Sequence, residues 1–164
     1  MLKLSEPLDL WLQSFEARFE AIQTSLYPSD QGLHQACRYA LAGQGKRIRP
    51  LFVMAAAEAC GARPESALNL AVAVEMIHTY SLVHDDLPTM DDDEARRGRA
   101  TTHIIFDEAT ALLAGDALLT DAFLVIAEDR ELPERIRANA VAHLARAAGG
   151  QGMVKGQALD MHWT

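Results

Sequence analysis

Apolar residues in this chain return every three or four positions, and that spacing dominates the sequence. Leu8, Leu12, Phe15, Phe19, Ile22 and Leu26 step by four, three, four, three and four, which gathers them on one face of an α-helix. Pro7 suits a first turn and Pro28 closes the segment. A second helix is expected from about 31 to 42, with Gly43 past its end. A third runs from near Pro50 to Gly61, and its Ala55, Ala56 and Ala57 offer a small-residue face for close packing. Pro64 and Glu65 open a long helix through Ala71, Val74, Ile77 and Leu82 toward Asp86. After a polar segment from Leu87 to Thr102, helix resumes from near Asp107 to about Glu128 and again from Pro133 to Ala148. Gly149, Gly150 and Gly152 break the pattern before a last helix. No β-alternation, repeat or linker stands out. The expected class is all-α, one helical region over residues 1–164, built as a bundle of antiparallel neighbours.

With 164 residues, 49% of them hydrophobic, the chain can bury a core. Acidic residues outnumber basic ones, 23 to 15, for a net charge of -8. That argues against a nucleic-acid partner. It leaves room for an anionic ligand at a local basic cluster or a bound cation. Cys37 and Cys60 sit in apolar stretches without metal-type spacing and read as reduced core thiols of a cytoplasmic protein. Lys3, Glu6 and Asp9 deny the N-terminus a signal-peptide core. Glu58, Glu75 and Asp116 break the longest apolar runs, so no membrane insertion is expected. The ending His162-Trp163-Thr164 carries no helix stop signal, and the expectation is a longer native chain.

The chemistry concentrates in His84-Asp85-Asp86-Leu87-Pro88-Thr89-Met90-Asp91-Asp92-Asp93. Two carboxylates about 4 Å apart repel by roughly 4 kcal/mol at an effective dielectric near 20. Spreading into water, protonation or a cation relieves that cost. Hard oxygen ligands favour magnesium, which takes one or two carboxylates, waters and substrate phosphates. On an unbroken helix Asp85 and Asp91 would point about 120° apart. Pro88 disfavours helix at Leu87, so the chain is expected to loop there and return Asp91 to Asp85. The plainer alternative is a solvated acidic loop. Arg96-Arg97-Gly98-Arg99 follows at once, either as surface ion pairs of little value or as a guanidinium fork for phosphate.

A basic corner lies earlier, at Gly43-Gln44-Gly45-Lys46-Arg47-Ile48-Arg49-Pro50. Three cations at a helix entry are badly placed against its dipole unless an anion sits among them. The spacing is not that of a nucleotide-binding loop. His78, seven residues before Asp85, can share its helix face and reach a phosphate; a buried structural histidine is the plainer reading.

Taken in order, these segments resemble the trans-prenyltransferase family of polyprenyl diphosphate synthases, most of all bacterial farnesyl diphosphate synthases. The carrying pieces are Gly45 to Pro50, His78 to Asp93, Arg96-Arg97-Gly98, Leu113 to Leu118 and Gly156-Gln157-Ala158-Leu159-Asp160. The resemblance implies the N-terminal half of an isoprenoid-synthase-like bundle. It implies a transferase of isoprenoid biosynthesis that condenses isopentenyl diphosphate head-to-tail with dimethylallyl or geranyl diphosphate. Magnesium assists ionisation, and no protein nucleophile is required. Carried over by position, Asp85 and Asp91 resemble the magnesium ligands, with Asp86 a helper. Arg96 resembles the allylic-diphosphate contact. Lys46, Arg49, His78 and Arg97 resemble the isopentenyl diphosphate site. Gln157 and Asp160 resemble polar residues of the next active-site helix. Bulk just upstream of the first aspartate sets product length in this family, so Tyr80 and Ser81 imply a short product, farnesyl over longer ones. The family also implies a homodimer. Its second aspartate-rich motif is absent from this sequence, and Lys155 stands where relatives have a small residue.

Two rival readings remain from the residues. His84-Asp85, with His34 and Asp107, Asp116 or Asp121, would suit a metal-dependent phosphohydrolase of the HD type, but leaves both basic runs unexplained. A non-catalytic partner subunit of a synthase would have no use for paired acidic and basic clusters.

Overall fold

The computed structural model describes residues 6–43 and 45–163; Lys3, Gln44 and Thr164 lie outside them. Among the described residues the chain runs α1 (Glu6–Leu26), α2 (Gly32–Leu41), α3 (Ile48–Ala59), a 3-10 turn (Pro64–Ala67) and α4 (Leu68–Asp85). There follow β1 (Ala95–Arg96), β2 (Arg99–Ala100), α5 (Thr102–Ile105), α6 (Glu108–Ala127), α7 (Glu134–Ala148) and α8 (Met153–Trp163). The all-α expectation holds, and the periodic segments became the helices. In α1 the predicted stripe turns inward: Phe15 and Phe19 are fully buried and their rings stack 5.2 Å apart. Each such ring contributes about 2–3 kcal/mol through burial.

α4 and α6 form the centre, packing on each other more extensively than any other pair. Both helices carry small residues in the core: Ala71 and Ala73 on α4, Ala114 and Ala122 on α6 are wholly buried. α3 and α1 cover α4 on one side, α2 and α7 pack on α6, and α8 follows α7.

The structure departs from the sequence reading in six places. The polar segment from Leu87 to Thr102 holds a small antiparallel hairpin, pairing Ala95 with Ala100 and Arg96 with Arg99. Its turn residues Arg97 and Gly98 are both left-handed, with φ of 53° and 77°, as a two-residue hairpin of this hand requires. A two-residue strand is too short to show alternation. The one-turn helix α5 was also missed, and Pro64 opens a 3-10 turn where α-helix was expected. In α3 the packing face is Pro50 and Met54, while Ala56 is exposed. Cys37 is buried as expected, but Cys60, at the end of α3, is exposed. Two segments, Pro64–Asp85 and Glu108–Ala127, are long and apolar enough by length and composition to cross a membrane, against the expectation that none is. They are the two central helices, lying against each other in the bundle.

Candidate active site

α4 delivers Asp85 at its last residue and Asp86 at its cap. Past them the chain turns as Pro88 requires: Leu87 N–H donates to His84 O (3.2 Å) and Asp91 N–H donates to Asp85 O (2.8 Å). The loop therefore folds back, and Asp91 stands beside Asp85. Burial first, then the Asp91 charge, pushes the Asp85 carboxyl above the usual range, with Arg96 opposing. Asp91 itself is exposed.

The neighbouring aspartates are used differently. Asp86 is only 5% exposed and accepts a hydrogen bond from Arg96 Nε at 2.6 Å. Burial raises its carboxyl and the guanidinium pulls it back. Arg96 Nη2 also donates to Asp93 Oδ2 at 3.1 Å. Arg96, carried on β1, is thus clamped between two carboxylates and held close to Asp85. Among the described residues no three or more His, Cys, Asp or Glu side chains gather into a closed metal cage. Two facing carboxylates suit magnesium, which keeps its waters and takes few protein ligands.

The basic corner sits on the same side of the bundle. Lys46, Arg49, His78 and Arg97 line a cavity of about 410 Å³. Lys46 and Arg49 are exposed, whereas Arg47 turns inward to Glu75 and Glu16. His78 Nε2 is buried with no hydrogen-bond partner. Burial, then the Arg49 charge, pushes its imidazole pKa down, with Arg97 and Arg96 adding to the effect and Glu75 opposing it. A neutral imidazole carrying an unsatisfied polar nitrogen among arginines is ready for a hydrogen bond to a phosphate oxygen.

A larger, mostly apolar cavity of about 580 Å³ joins the two clusters. Asp85, Arg49 and His78 share its wall with Tyr80, Ser81 and Gln157. Tyr80 is buried, with its ring edge-on to His84 at 5.7 Å. Ser81 Oγ donates to His78 O at 2.9 Å. Gln157 reaches this cavity from α8. Asp160 and Lys155 are exposed and not among the lining residues.

The structure therefore gathers Lys46, Arg49, His78, Tyr80, Ser81, Asp85, Arg97 and Gln157 around two cavities that share Arg49 and His78; Asp86 and Arg96 line a smaller neighbouring one with His78 and Arg97, and Asp91 stands beside Asp85. The residues of the phosphohydrolase reading do not assemble into one site: His84 Nε2 comes within 3.9 Å of Asp116 Oδ1, but among the described residues no third ligand joins them. Asp121 accepts from Tyr27 Oη at 2.9 Å, Asp107 caps α6 by accepting from Thr110 N at 2.7 Å, and His34 Nδ1 accepts from Ser29 N at 3.3 Å. Sequence reasoning missed Glu75 and Gly115. The first had a signal, an acid in an apolar helix three residues before His78. The second is the seat of His84.

A family model described as polyprenyl synthetase matches residues 30–164. The chain is similar to the farnesyl diphosphate synthase of Micrococcus luteus, 49% identical over 142 residues that cover 87% of this chain and 48% of that one. It is similar to the farnesyl diphosphate synthase of Geobacillus stearothermophilus, 53% identical over 131 residues covering 79% and 44%. The crystal structure of an FPP/GFPP synthase from Zymomonas mobilis superposes with a TM-score of 0.87 at 38% identity, covering 95% of this chain and 58% of that one. The chain spans about half the length of the curated relatives it matches.

Proposed function

Because this chain belongs to the polyprenyl synthetase family and has the isoprenoid-synthase helical fold, we propose that it condenses isopentenyl diphosphate head-to-tail with dimethylallyl or geranyl diphosphate. The product is a short prenyl diphosphate, farnesyl diphosphate. The observation that carries this reading is one cavity wall shared by Asp85, Arg49 and His78, with an apolar interior beyond them.

Asp85 and Asp91 would hold magnesium, and the bound cation would supply positive charge to stabilise the leaving diphosphate of the allylic substrate. Asp86 keeps Arg96 at that diphosphate. Lys46, Arg49, His78 and Arg97 bind isopentenyl diphosphate in the adjacent corner, so that its double bond faces the allylic carbon. The allylic C–O bond breaks, the double bond attacks the cation and one proton leaves. The residues stabilise charge, align two substrates and exclude water. Gln157 adds a polar contact from α8. Residues 1–164 work as one helical region, in a cytoplasmic homodimer with neither nucleic acid nor membrane insertion in its function.

The full-length protein, given dimethylallyl and isopentenyl diphosphates, is expected to yield farnesyl diphosphate with magnesium and none after chelation, as read by chromatography of the dephosphorylated products. Phosphate release without a carbon–carbon bond would point instead to the hydrolase reading.

Tyr80 and Ser81 set the length. The buried Tyr80 ring lies on the cavity wall five residues before Asp85, where it stops a growing chain. Tyr80→Ala should shift the main product from C15 to C20 or longer in the same assay. A mutant that still makes only C15 would remove Tyr80 from this role.

A further inference from the structure

Arg47 and Glu75 lie inside the basic corner, yet the reaction above uses neither. Glu75 comes from α4, is 4% exposed and accepts a hydrogen bond from Arg47 Nη1 at 2.8 Å. Arg47 Nε donates to Glu16 Oε1 at 2.9 Å. The guanidinium also stands over the Phe19 ring, 4.9 Å from its centroid, a favourable cation–π placement. One side chain thus ties the loop before α3 to α1 and to α4. Arg47 has φ of 48°, so the tie holds a left-handed backbone at the cap of α3. A Cβ built on Gly45 would come 3.2 Å from Arg97 Nη1 and 3.4 Å from both Arg47 Nη1 and Glu75 Oε1. The pair is therefore packed directly against the loop carrying Lys46, and beside Arg97.

A buried ion pair is poor value as a stabiliser, because desolvation offsets the attraction and apolar residues can do as well. Its use here is geometric. Lys46, Arg47, Arg49 and Arg97 converge and repel one another when no anion is bound. Drawing Arg47 inward removes one cation from that contest and fixes the backbone from which Lys46 and Arg49 project.

We propose that Glu75 is a positioning residue: through Arg47 it pins residues 45–47 so that Lys46, Arg49 and Arg97 are arranged in advance for a diphosphate. The ligand's identity as isopentenyl diphosphate rests on the function proposed above; the arrangement for a diphosphate does not.

Charge and position make opposite predictions. If Glu75 acted only as a nearby negative charge, Glu75→Gln would tighten binding of an anion. If it positions, the same change weakens binding. In the full-length protein, calorimetric titration with inorganic diphosphate, without metal, should show Glu75→Gln binding about tenfold more weakly, in the range typical of partners one step removed from a ligand. With substrates, KM for isopentenyl diphosphate should rise about as much while kcat changes less than about threefold. Glu75→Asp, which keeps the charge but shortens its reach, should also weaken diphosphate binding. It serves as the test should Glu75→Gln lose its helical circular dichroism. Equal or tighter binding by a folded variant overturns the proposal. Weaker diphosphate binding in a protein that performs no condensation would leave the positioning role standing and sink the assigned reaction.

Discussion

Asp85→Asn is expected to lower kcat for condensation by about 10²–10³-fold, the usual cost of removing one group that stabilises charge in a transition state, with no loss of stability. The chain reversal beyond α4 uses the Asp85 carbonyl, which accepts from Asp91 N–H at 2.8 Å, and asparagine keeps that carbonyl and the same bulk. What disappears is the carboxylate charge. Burial and the Asp91 charge both push that carboxyl up, so in the metal-free protein the charge works against folding. Asparagine removes this repulsion. Thermal unfolding without metal should thus show an unchanged or slightly higher Tm alongside the lost activity. Asp86→Asn makes the contrast: it leaves an acceptor oxygen for Arg96 Nε, 2.6 Å from Asp86 in the parent, and removes the negative charge that holds the guanidinium in place, so its effect on activity runs through Arg96. Activity of Asp85→Asn within threefold of the parent, under saturating magnesium and both substrates, would remove Asp85 from the metal site.

These two aspartates show how far the sequence could be read. Pro88 and helix geometry together led to a loop that returns Asp91 to Asp85, because both effects are local. The stripe from Leu8 to Leu26 read as one helix for the same reason. Partitioning was out of reach. Lys46, Arg47 and Arg49 are chemically similar neighbours; which of them turns inward depends on Glu75, 28 residues away, and on Phe19 in another helix. Asp86 likewise anchors Arg96 from ten residues away, across a loop and into a hairpin that no spacing announces. Two-residue strands leave no period to detect. Cys60 and Ala56 look like core residues by type, but α3 faces the bundle with Pro50 and Met54. Short-range spacing was legible, and side-chain choices made across helices were not.

Gly115 is the sharpest instance of a choice made across helices, and Gly115→Ala is expected to destabilise the fold by about 1–3 kcal/mol through overpacking. A Cβ at this position of α6 would fall 2.0 Å from His84 Nε2, 2.3 Å from Cδ2 and 2.9 Å from Cε1. The ring, a quarter exposed, can swing aside only by leaving two contacts. Its Nε2 lies 3.0 Å from Leu112 O, and the ring meets the buried Tyr80 edge-on. Moving it breaks the first contact, worth about 1 kcal/mol. The better helix propensity of alanine, also about 1 kcal/mol, offsets that, so the steric conflict decides the sign. For a chain of 150–250 residues each kcal/mol lowers Tm by about 2–4 °C, which puts the expected fall at roughly 4–8 °C for a loss near 2 kcal/mol. A double-mutant cycle locates the cause. His84→Ala opens the space that the new methyl needs, so adding Gly115→Ala to it should cost little or nothing, a coupling that independent sites would not show. If Gly115→Ala lowers Tm equally in both backgrounds, the strain lies elsewhere than at His84. Because His84 backs Tyr80, the single variant should also disturb the proposed floor of the apolar cavity, and its products should include chains longer than C15, whereas a purely global loss of stability would leave product length alone.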